Sequence, residues 1–395
     1  MKHEHAWKNF EEVKPEEPVV VSANPYAWKD PKTITMRDWL YGRRYLREFV
    51  IETIAPGGIG KTTLITVEAL SMVSSKALLG ISPPRPLRVW LWNLEDPIEE
   101  TQRKIQAAAL QYGLTAEDIG DRLFVNSGRD TPLVIAHTTR DGATIAQPVV
   151  DALVEEIKKR QIDVLIIDPF VSCHQVPEND NGAQDMVIKE WGRIAGLGKC
   201  ATHLVDHARK MAPGEEVTTQ SSRGGKAKTD GCRGVWVVNP MTEQEGEKAG
   251  VENHRLHFRI YDDKPNLHPP TDKRADWYKL VSVDLPNGHL GGPGDSVGVV
   301  TKWEWPDFLA GITGRDFDKA AAAIRAGRWK ESIQAKDWVG QPIAKALGLD
   351  LDSKIGKAKT KELIKVWIKA GSLVVVEEKD DHREIKKFVK VADDG

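Results

Sequence analysis

Sulfur is scarce in this sequence. Its 395 residues hold three cysteines, Cys173, Cys200 and Cys232. They are far apart and odd in number, which excludes a disulfide framework and a zinc site of ordinary ligand spacing and suits a reducing cytosol. Long apolar runs are missing too, so no segment reaches the roughly 20 residues that a membrane helix needs. Excess charge of either sign is absent: 56 basic against 58 acidic residues leave a formal net charge of −2. No global basic field therefore advertises a nucleic acid partner, and any such contact must come from local patches. The opening stretch, Met1 to Glu17, is charged and polar, unlike a secretory leader. Internal repeats and low-complexity tracts are also absent. These features lead us to expect a cytoplasmic chain without membrane contact, long enough for two or three domains.

Against this background one stretch stands out: Ala55-Pro56-Gly57-Gly58-Ile59-Gly60-Lys61-Thr62-Thr63. It follows Phe49-Val50-Ile51-Glu52-Thr53-Ile54, which reads as a strand. It precedes a helical pattern from Thr62 to about Ser74, with apolar Leu64, Ile65, Val67, Leu70 and Val73. Strand, glycine loop and helix form the context of a phosphate-binding loop. Glycines let backbone N–H groups turn inward around phosphate oxygens, and the helix N-terminus adds partial positive charge. Lys61 can supply a point charge to the β- and γ-phosphates, and the Thr62 hydroxyl can ligate Mg²⁺. Gly57, Gly58, Gly60, Lys61, Thr62 and Thr63 are thus the candidate nucleotide contacts. The first motif position is Ala55 rather than glycine, a small substitution that the loop tolerates.

The rest of the chain alternates strands and helices. Residues 1–33 read as an N-terminal arm, or as a segment whose Trp7, Phe10, Tyr26 and Trp28 pack elsewhere. Ile34 to Glu48 could be helical and ends in the basic cluster Arg43, Arg44 and Arg47. A second strand, Leu87 to Asn93, leads into Glu95-Asp96-Pro97 and a helix; Asp96 suits its cap, with Pro97 in the first turn. Glu95 stands at the carboxyl end of a strand, where parallel α/β sheets place their chemistry. Leu123-Phe124-Val125 is a third strand, and a helix from about Gln147 to Arg160 follows. Asp163 to Asp168 is an apolar strand ending in an acid that can serve Mg²⁺, directly or through water. A polar loop over 169–185 and a helix near 186–197 lead to the strand Ala201 to His207. His207, at its carboxyl end, is either a γ-phosphate sensor or a structural histidine. Arg209 to Asp230 reads as a long flexible loop, and Val235–Val238 returns as a strand. The alternation from 49 to 240 predicts an α/β fold with a mostly parallel sheet.

Composition then shifts. Residues 263–299 are rich in Pro, Gly and Asp and read as a linker, with a short strand near Leu280–Val283. Residues 300–395 show three helical stretches, near 316–327, 336–347 and 354–370, and then two strands near 372–376 and 386–391. That outline is a winged helix-turn-helix. Leu363, Trp367 and Ala370 would form the apolar face of its third helix. Lys357, Lys361 and Lys365 lie near the other face, either as solvated lysines or as contacts to duplex DNA.

Several residues together resemble one family, the RecA-like P-loop ATPases of the RepA type, plasmid and phage replication proteins related to DnaB-type ring helicases. The resemblance spans about residues 35–245. It is carried by the loop 55–62, Glu95-Asp96-Pro97, Ile166-Ile167-Asp168, Asp206-His207-Ala208-Arg209-Lys210, and Ser222-Arg223-Gly224-Gly225 with Asp230-Gly231-Cys232-Arg233. It implies ATP and Mg²⁺ as cofactors, Glu95 polarising the attacking water, Asp168 serving the metal and His207 sensing phosphate. It further implies that Arg223 is a finger reaching into a neighbouring subunit, with Lys226 and Lys228 as nearby basic alternatives. A homo-oligomeric ring, a hexamer in that family, would hold single-stranded DNA on the loops 169–185 and 208–222. Three functions follow: a replicative helicase, a DNA-binding regulatory ATPase without unwinding, and a small-molecule kinase. The kinase is disfavoured, because nothing suggests a lid or an acceptor pocket.

Overall fold

The computed structural model describes residues 22–212, 214–223, 226–267, 275–289 and 292–392. The chain forms two units, residues 1–37 and 38–395. In the first, Asp30 caps a 3-10 turn, Pro31–Thr33, by accepting the Lys32 N–H. Trp7 and Phe10 lie outside the described residues.

The second unit opens with a small hairpin, β1 (Trp39–Tyr41) and β2 (Tyr45–Leu46), instead of the expected helix over 34–48. Gly42 turns the chain at φ +52°, and the flanking aromatics suit strands better than helix. Neither Arg44 nor Arg47 is a free surface cation. Arg44 is buried against Glu68 and Thr53, and Arg47 bridges Asp38 and Asp163.

The main body is built on a nine-stranded sheet. In chain order its elements are β3 (Val50–Ala55), α1 (Lys61–Ser74), β4 (Val89–Asn93), α2 (Ile98–Tyr112), α3 (Ala116–Ile119) and β5 (Leu123–Ser127). A hairpin of β6 (Ala136–Thr139) and β7 (Gly142–Ile145) precedes α4 (Gln147–Arg160), β8 (Val164–Asp168), α5 (Asn181–Gly198) and β9 (Ala201–His207). Then come α6 (Lys226–Gly231), β10 (Gly234–Pro240), α7 (Glu243–Ala249), β11 (His257–Asp262), β12 (Asp276–Asp284) and β13 (Ser296–Trp303). The order across the sheet is β13-β12-β11-β10-β3-β9-β8-β4-β5. All pairings from β10 to β5 are parallel, and β11, β12 and β13 add antiparallel strands at one edge. The expected mostly parallel α/β fold is therefore present.

Cores fill both faces of the sheet. On one face α1 buries Leu64, Ile65, Val67, Leu70 and Val73 beneath α2 and β13. On the other, α4 and α5 contribute Leu153, Ile157, Val187 and Trp191. A polar seam lies within the first face: Tyr45 donates to Glu68 at 3.0 Å, and His203 bridges Tyr45 at 2.7 Å and Thr53 at 2.8 Å. Breaking one member of such a buried charged network costs roughly 3–5 kcal/mol.

The segment expected to be a linker is part of this body. β12 and β13 pair from Trp277↔Trp303 to Asp284↔Ser296. In the Pro/Gly-rich stretch between them Asn287 is hydrogen-bonded to Asp295. Pro, Gly and Asp serve tight turns as well as linkers, so composition does not separate the two.

The last block has its own core. Its elements are α8 (Gly314–Arg325), β14 (Trp329–Lys330), α9 (Gly340–Leu347), α10 (Lys354–Lys369), β15 (Leu373–Lys379) and β16 (Ile385–Val391). They enclose Ile324, Trp338, Ile343, Leu363, Trp367 and Val389. The small sheet is antiparallel, in the order β14-β16-β15. Leu363 and Trp367 are buried as expected, whereas Ala370 is the exposed C-cap of α10. The block is docked on the main body through α7 and α10. Gly250 lies so close to Ile355 that a Cβ there would sit 2.5 Å from its Cα, and Lys354 donates to the Glu252 carbonyl at 2.9 Å.

Candidate functional site

β3 carries the chain to the carboxyl edge of the sheet, where residues 56–60 loop back into α1. Gly58 (φ +75°) and Gly60 (φ +93°) lie in the left-handed region that favours glycine. Gly60 is also constrained from beneath, since a Cβ would come 3.1 Å from Leu280 of β12. The space around Gly57 and Gly58 is open. No side chain caps α1, and its ladder begins with the Leu64 N–H to the Gly60 carbonyl. The N–H groups of the first turn are thus left for an external acceptor, as an anion site requires.

Two carboxyl-edge residues converge on this loop. Thr62 donates its hydroxyl to Asp168 Oδ2 at 2.6 Å. Asp168 ends β8, one strand removed from β3, and is buried. Burial raises its pKa, an effect opposed by the Thr62 hydrogen bond and by Lys61. A cation at this pair would relieve that desolvation. A threonine hydroxyl and a carboxylate are hard oxygen donors of the kind Mg²⁺ prefers, with waters and phosphate oxygens completing the shell. Among the described residues no cluster of three or more His, Cys, Asp or Glu could hold a metal alone. The donor set therefore fits a cation shared with a phosphate ligand.

Lys61 is buried, and its Nζ lies 2.6 Å from Nε2 and 2.9 Å from Nδ1 of His207. Desolvation lowers the Lys61 pKa, against the pull of Asp168 and Glu95. Desolvation, then Lys61, lowers that of His207. The ring is neutral as a result and offers a lone pair to the ammonium.

Glu95 and Asp96 have different fates. The buried Asn93 side chain accepts both of their backbone N–H groups, at 2.9 and 2.7 Å, which fixes the turn after β4. Asp96 pairs with Lys104 at 2.7 Å. It does not cap α2: the N-cap is Pro97, with no side-chain bond. The Glu95 carboxylate is exposed and makes no hydrogen bond among the described residues, yet its charge acts on Lys61, Asp168 and His207. Arg129, beyond β5, holds the Glu95 carbonyl at 2.8 Å.

Beyond β9 the chain is tighter than a flexible loop. Ala208 and Ser222 form an antiparallel bridge, and Ser221 and Ser222 are buried. The Arg223 N–H points at the His207 carbonyl at 3.4 Å. The exposed Arg223 guanidinium acts electrostatically on Lys61 and His207 of its own chain. Lys228 is no finger: it is buried, paired with Glu52 and Asp206. Gly224, Gly225 and the Lys226 side chain lie outside the described residues. A cavity of about 450 Å³ opens beside Thr63, lined by Glu100, Arg103, Lys104, Asp295 and Ser296.

Sequence reasoning singled out Lys61, Thr62, Glu95, Asp168, His207 and Arg223, and these residues stand at one edge of the sheet. It missed Asn93, Lys104 and Arg129, and it named Asp206 and Lys228 without seeing that they pair with each other and with Glu52. Glu52 carried a readable signal: a carboxylate in the middle of an apolar strand demands a buried partner.

Residues 15–213 match the family model described as an AAA domain. Among solved structures, one titled "Crystal structure of the RadB recombinase" is 12% identical, with coverage of 60% of this chain and 89% of that chain and a TM-score of 0.39. Within the family match, just over half of the sequence, lie the phosphate loop, Glu95, Asp168 and His207. No helix among the described residues is long and apolar enough to cross a membrane. On the strength of that match the chain belongs to the AAA domain family.

Proposed function

We infer that this protein is a Mg²⁺-dependent ATPase that acts on DNA. The observation that carries the reading is the gathering at one phosphate loop of Lys61, the Thr62–Asp168 pair and the Glu95 carboxylate, which has no partner among the described residues. Loop N–H groups and Lys61 hold the β- and γ-phosphates. The nucleoside enters the cavity beside Thr63, where Glu100 and Ser296 offer hydrogen-bond partners. Mg²⁺, held through Thr62 and Asp168, would neutralise charge on the phosphate oxygens. Water attacks the γ-phosphorus, its proton passes to Glu95, and the bond to the β–γ bridging oxygen breaks to release ADP. Lys61 must leave His207 to reach the phosphate, which frees the neutral ring to hydrogen-bond a γ-oxygen.

For DNA, the support is the likeness to ring ATPases of the RepA type and the departure of the chain after Asp168 and after His207 from the same edge of the sheet as the phosphate loop. In this reading a homo-oligomeric ring, a hexamer by that resemblance, passes single-stranded DNA across the segments that follow those two residues as a helicase. The C-terminal order helix, strand, two helices, hairpin supports a winged helix-turn-helix reading, with Lys357, Lys361 and Lys365 exposed on α10. One contact favours the alternative, a regulatory ATPase without unwinding. The first turn of α10 is docked against Gly250 and Glu252, so a duplex could enter there only after undocking. ATP turnover with and without single-stranded DNA, together with strand displacement on forked DNA, tests the reading. Stimulated turnover with displacement supports the helicase, and stimulated turnover without displacement supports the regulator. Absence of turnover removes both.

A further inference from the structure

The C-terminal block carries a groove between the later turns of α10 and the strands β14 and β16, with a volume of about 760 Å³. Trp338, Ile364 and Ile368 form its floor, the first two of them buried. Ile333 and Ile385 stand at its edge, 36% and 67% exposed. Single exposed isoleucines are ordinary, but these two border one apolar concavity. The rim is basic: Lys330, Lys361, Lys365, Lys386 and Lys387 line it against a single acid, Glu331. Lys330, Lys365 and Lys386 have acidic neighbours in Asp337, Glu362 and Glu384. Lys361 and Lys387 have no acidic partner among the described residues. No lining residue belongs to the main body. The contact that docks the block involves Lys354 and Ile355, on the first turn of α10, so the groove stays open while the block is docked.

We propose that this groove binds an acidic segment of a partner protein, which seats apolar side chains on Trp338, Ile364 and Ile368 and sets carboxylates against the lysine rim. Two features choose this occupant. Five lysines against one glutamate select an acidic partner and repel a basic one. The apolar floor selects a protein over a nucleic acid. Duplex DNA can neutralise the lysines, but it brings phosphates rather than hydrocarbon to the floor. Apolar anchors within a charged rim are the way a groove reads an amphipathic helix. The α10 wall from Lys361 to Ile368 is about 12 Å long, which matches about two turns of such a helix.

The proposal does not rest on the ATPase reading, and its test needs no turnover. The full chain is titrated against three fluorescent probes, with anisotropy as the readout. The first is an amphipathic peptide with leucines at i, i+3, i+4 and i+7 and glutamates and alanines elsewhere. The second carries lysine in place of each glutamate, and the third is a duplex DNA. The glutamate peptide should bind at least about ten-fold more tightly than the lysine peptide. Ile385→Ser should weaken its binding by about ten-fold. Lys361→Gln/Lys387→Gln should weaken it by at least about three-fold and flatten its dependence on salt. All three side chains are exposed, so the variants keep the fold. Equal binding of the two peptides, binding of neither, or wild-type affinity in Ile385→Ser overturns the proposal. Duplex binding that falls in the lysine variant, with no binding of the glutamate peptide, assigns the groove to DNA and overturns it as well.

Discussion

Replacing Glu95 by glutamine tests the division of labour between two adjacent acids. The structure gives them opposite environments: Asp96 is bound to Lys104 at 2.7 Å, and Glu95 has no partner of its own among the described residues. Glutamine keeps the shape of Glu95 and removes the base. General-base catalysis contributes about 10²–10⁴ in rate, which at about 1.4 kcal/mol per decade is roughly 3–5 kcal/mol of barrier. Glu95→Gln should therefore bind ATP about as tightly as the wild type and hydrolyse it at least about a hundred-fold more slowly. Asp96→Asn weakens only a partly exposed ion pair, worth about 0.2–1 kcal/mol, so turnover should fall by no more than a few-fold. Steady-state phosphate release and equilibrium binding of a fluorescent ATP analogue measure both quantities. Wild-type turnover by Glu95→Gln together with an inactive Asp96→Asn would refute the assignment and make Asp96 the base.

Three further outcomes follow from the geometry. Arg223→Ala and Lys61→Ala should each be inactive, and mixed assemblies containing both should recover part of the activity, since some interfaces then pair an intact Lys61 with an intact Arg223; no recovery would contradict the finger in trans implied by the family resemblance. Burial lowers the His174 pKa to about 4, so the stability it contributes is complete above its ordinary value of 6.5 and is lost as pH falls toward 4. At pH 5 the loss is roughly 2 kcal/mol, and His174→Gln should flatten the fall in thermal midpoint between about pH 7 and pH 5; an equally steep fall would contradict this. A chain ended after Trp305 should keep its fold and ATPase activity and lose duplex DNA binding. A chain ended before Ser296 sheds β13 with fully buried Val299 and Val300, about 3–6 kcal/mol of apolar burial, and should not fold; soluble, cooperative unfolding of that shorter chain would contradict the placement of β13.

How much of this was legible in the sequence depended on whether a residue's role is local. The phosphate loop, the strand ending in Asp168 and the helix over 147–160 were legible, because loop chemistry and hydrophobic period act on neighbours in the chain. Residues 34–48 were misread as helix: short strands with buried arginines carry no clean period, and what fixes them is Glu68 and His203 far along the sequence. The strands β12 and β13 were misread as part of a linker because Pro, Gly and Asp beside them serve turns and linkers alike. Asp96 was read as a cap, since its ion pair with Lys104 spans a turn geometry that spacing alone does not give. Arg223 was placed in a flexible loop because Ser and Gly dominate its surroundings. Lys228, a basic alternative to Arg223 by the resemblance, is buried instead, because Glu52 and Asp206 from distant strands stand beside it.

The central claim is that Lys61 and the loop around it hold the phosphates of ATP for hydrolysis. Phosphate release from ATP with Mg²⁺, measured for the wild-type chain and for Lys61→Ala, tests it most directly. Steady turnover by the wild type, and a loss of at least about a thousand-fold in Lys61→Ala, is the predicted result. Hydrolysis by Lys61→Ala near the wild-type rate would contradict the account.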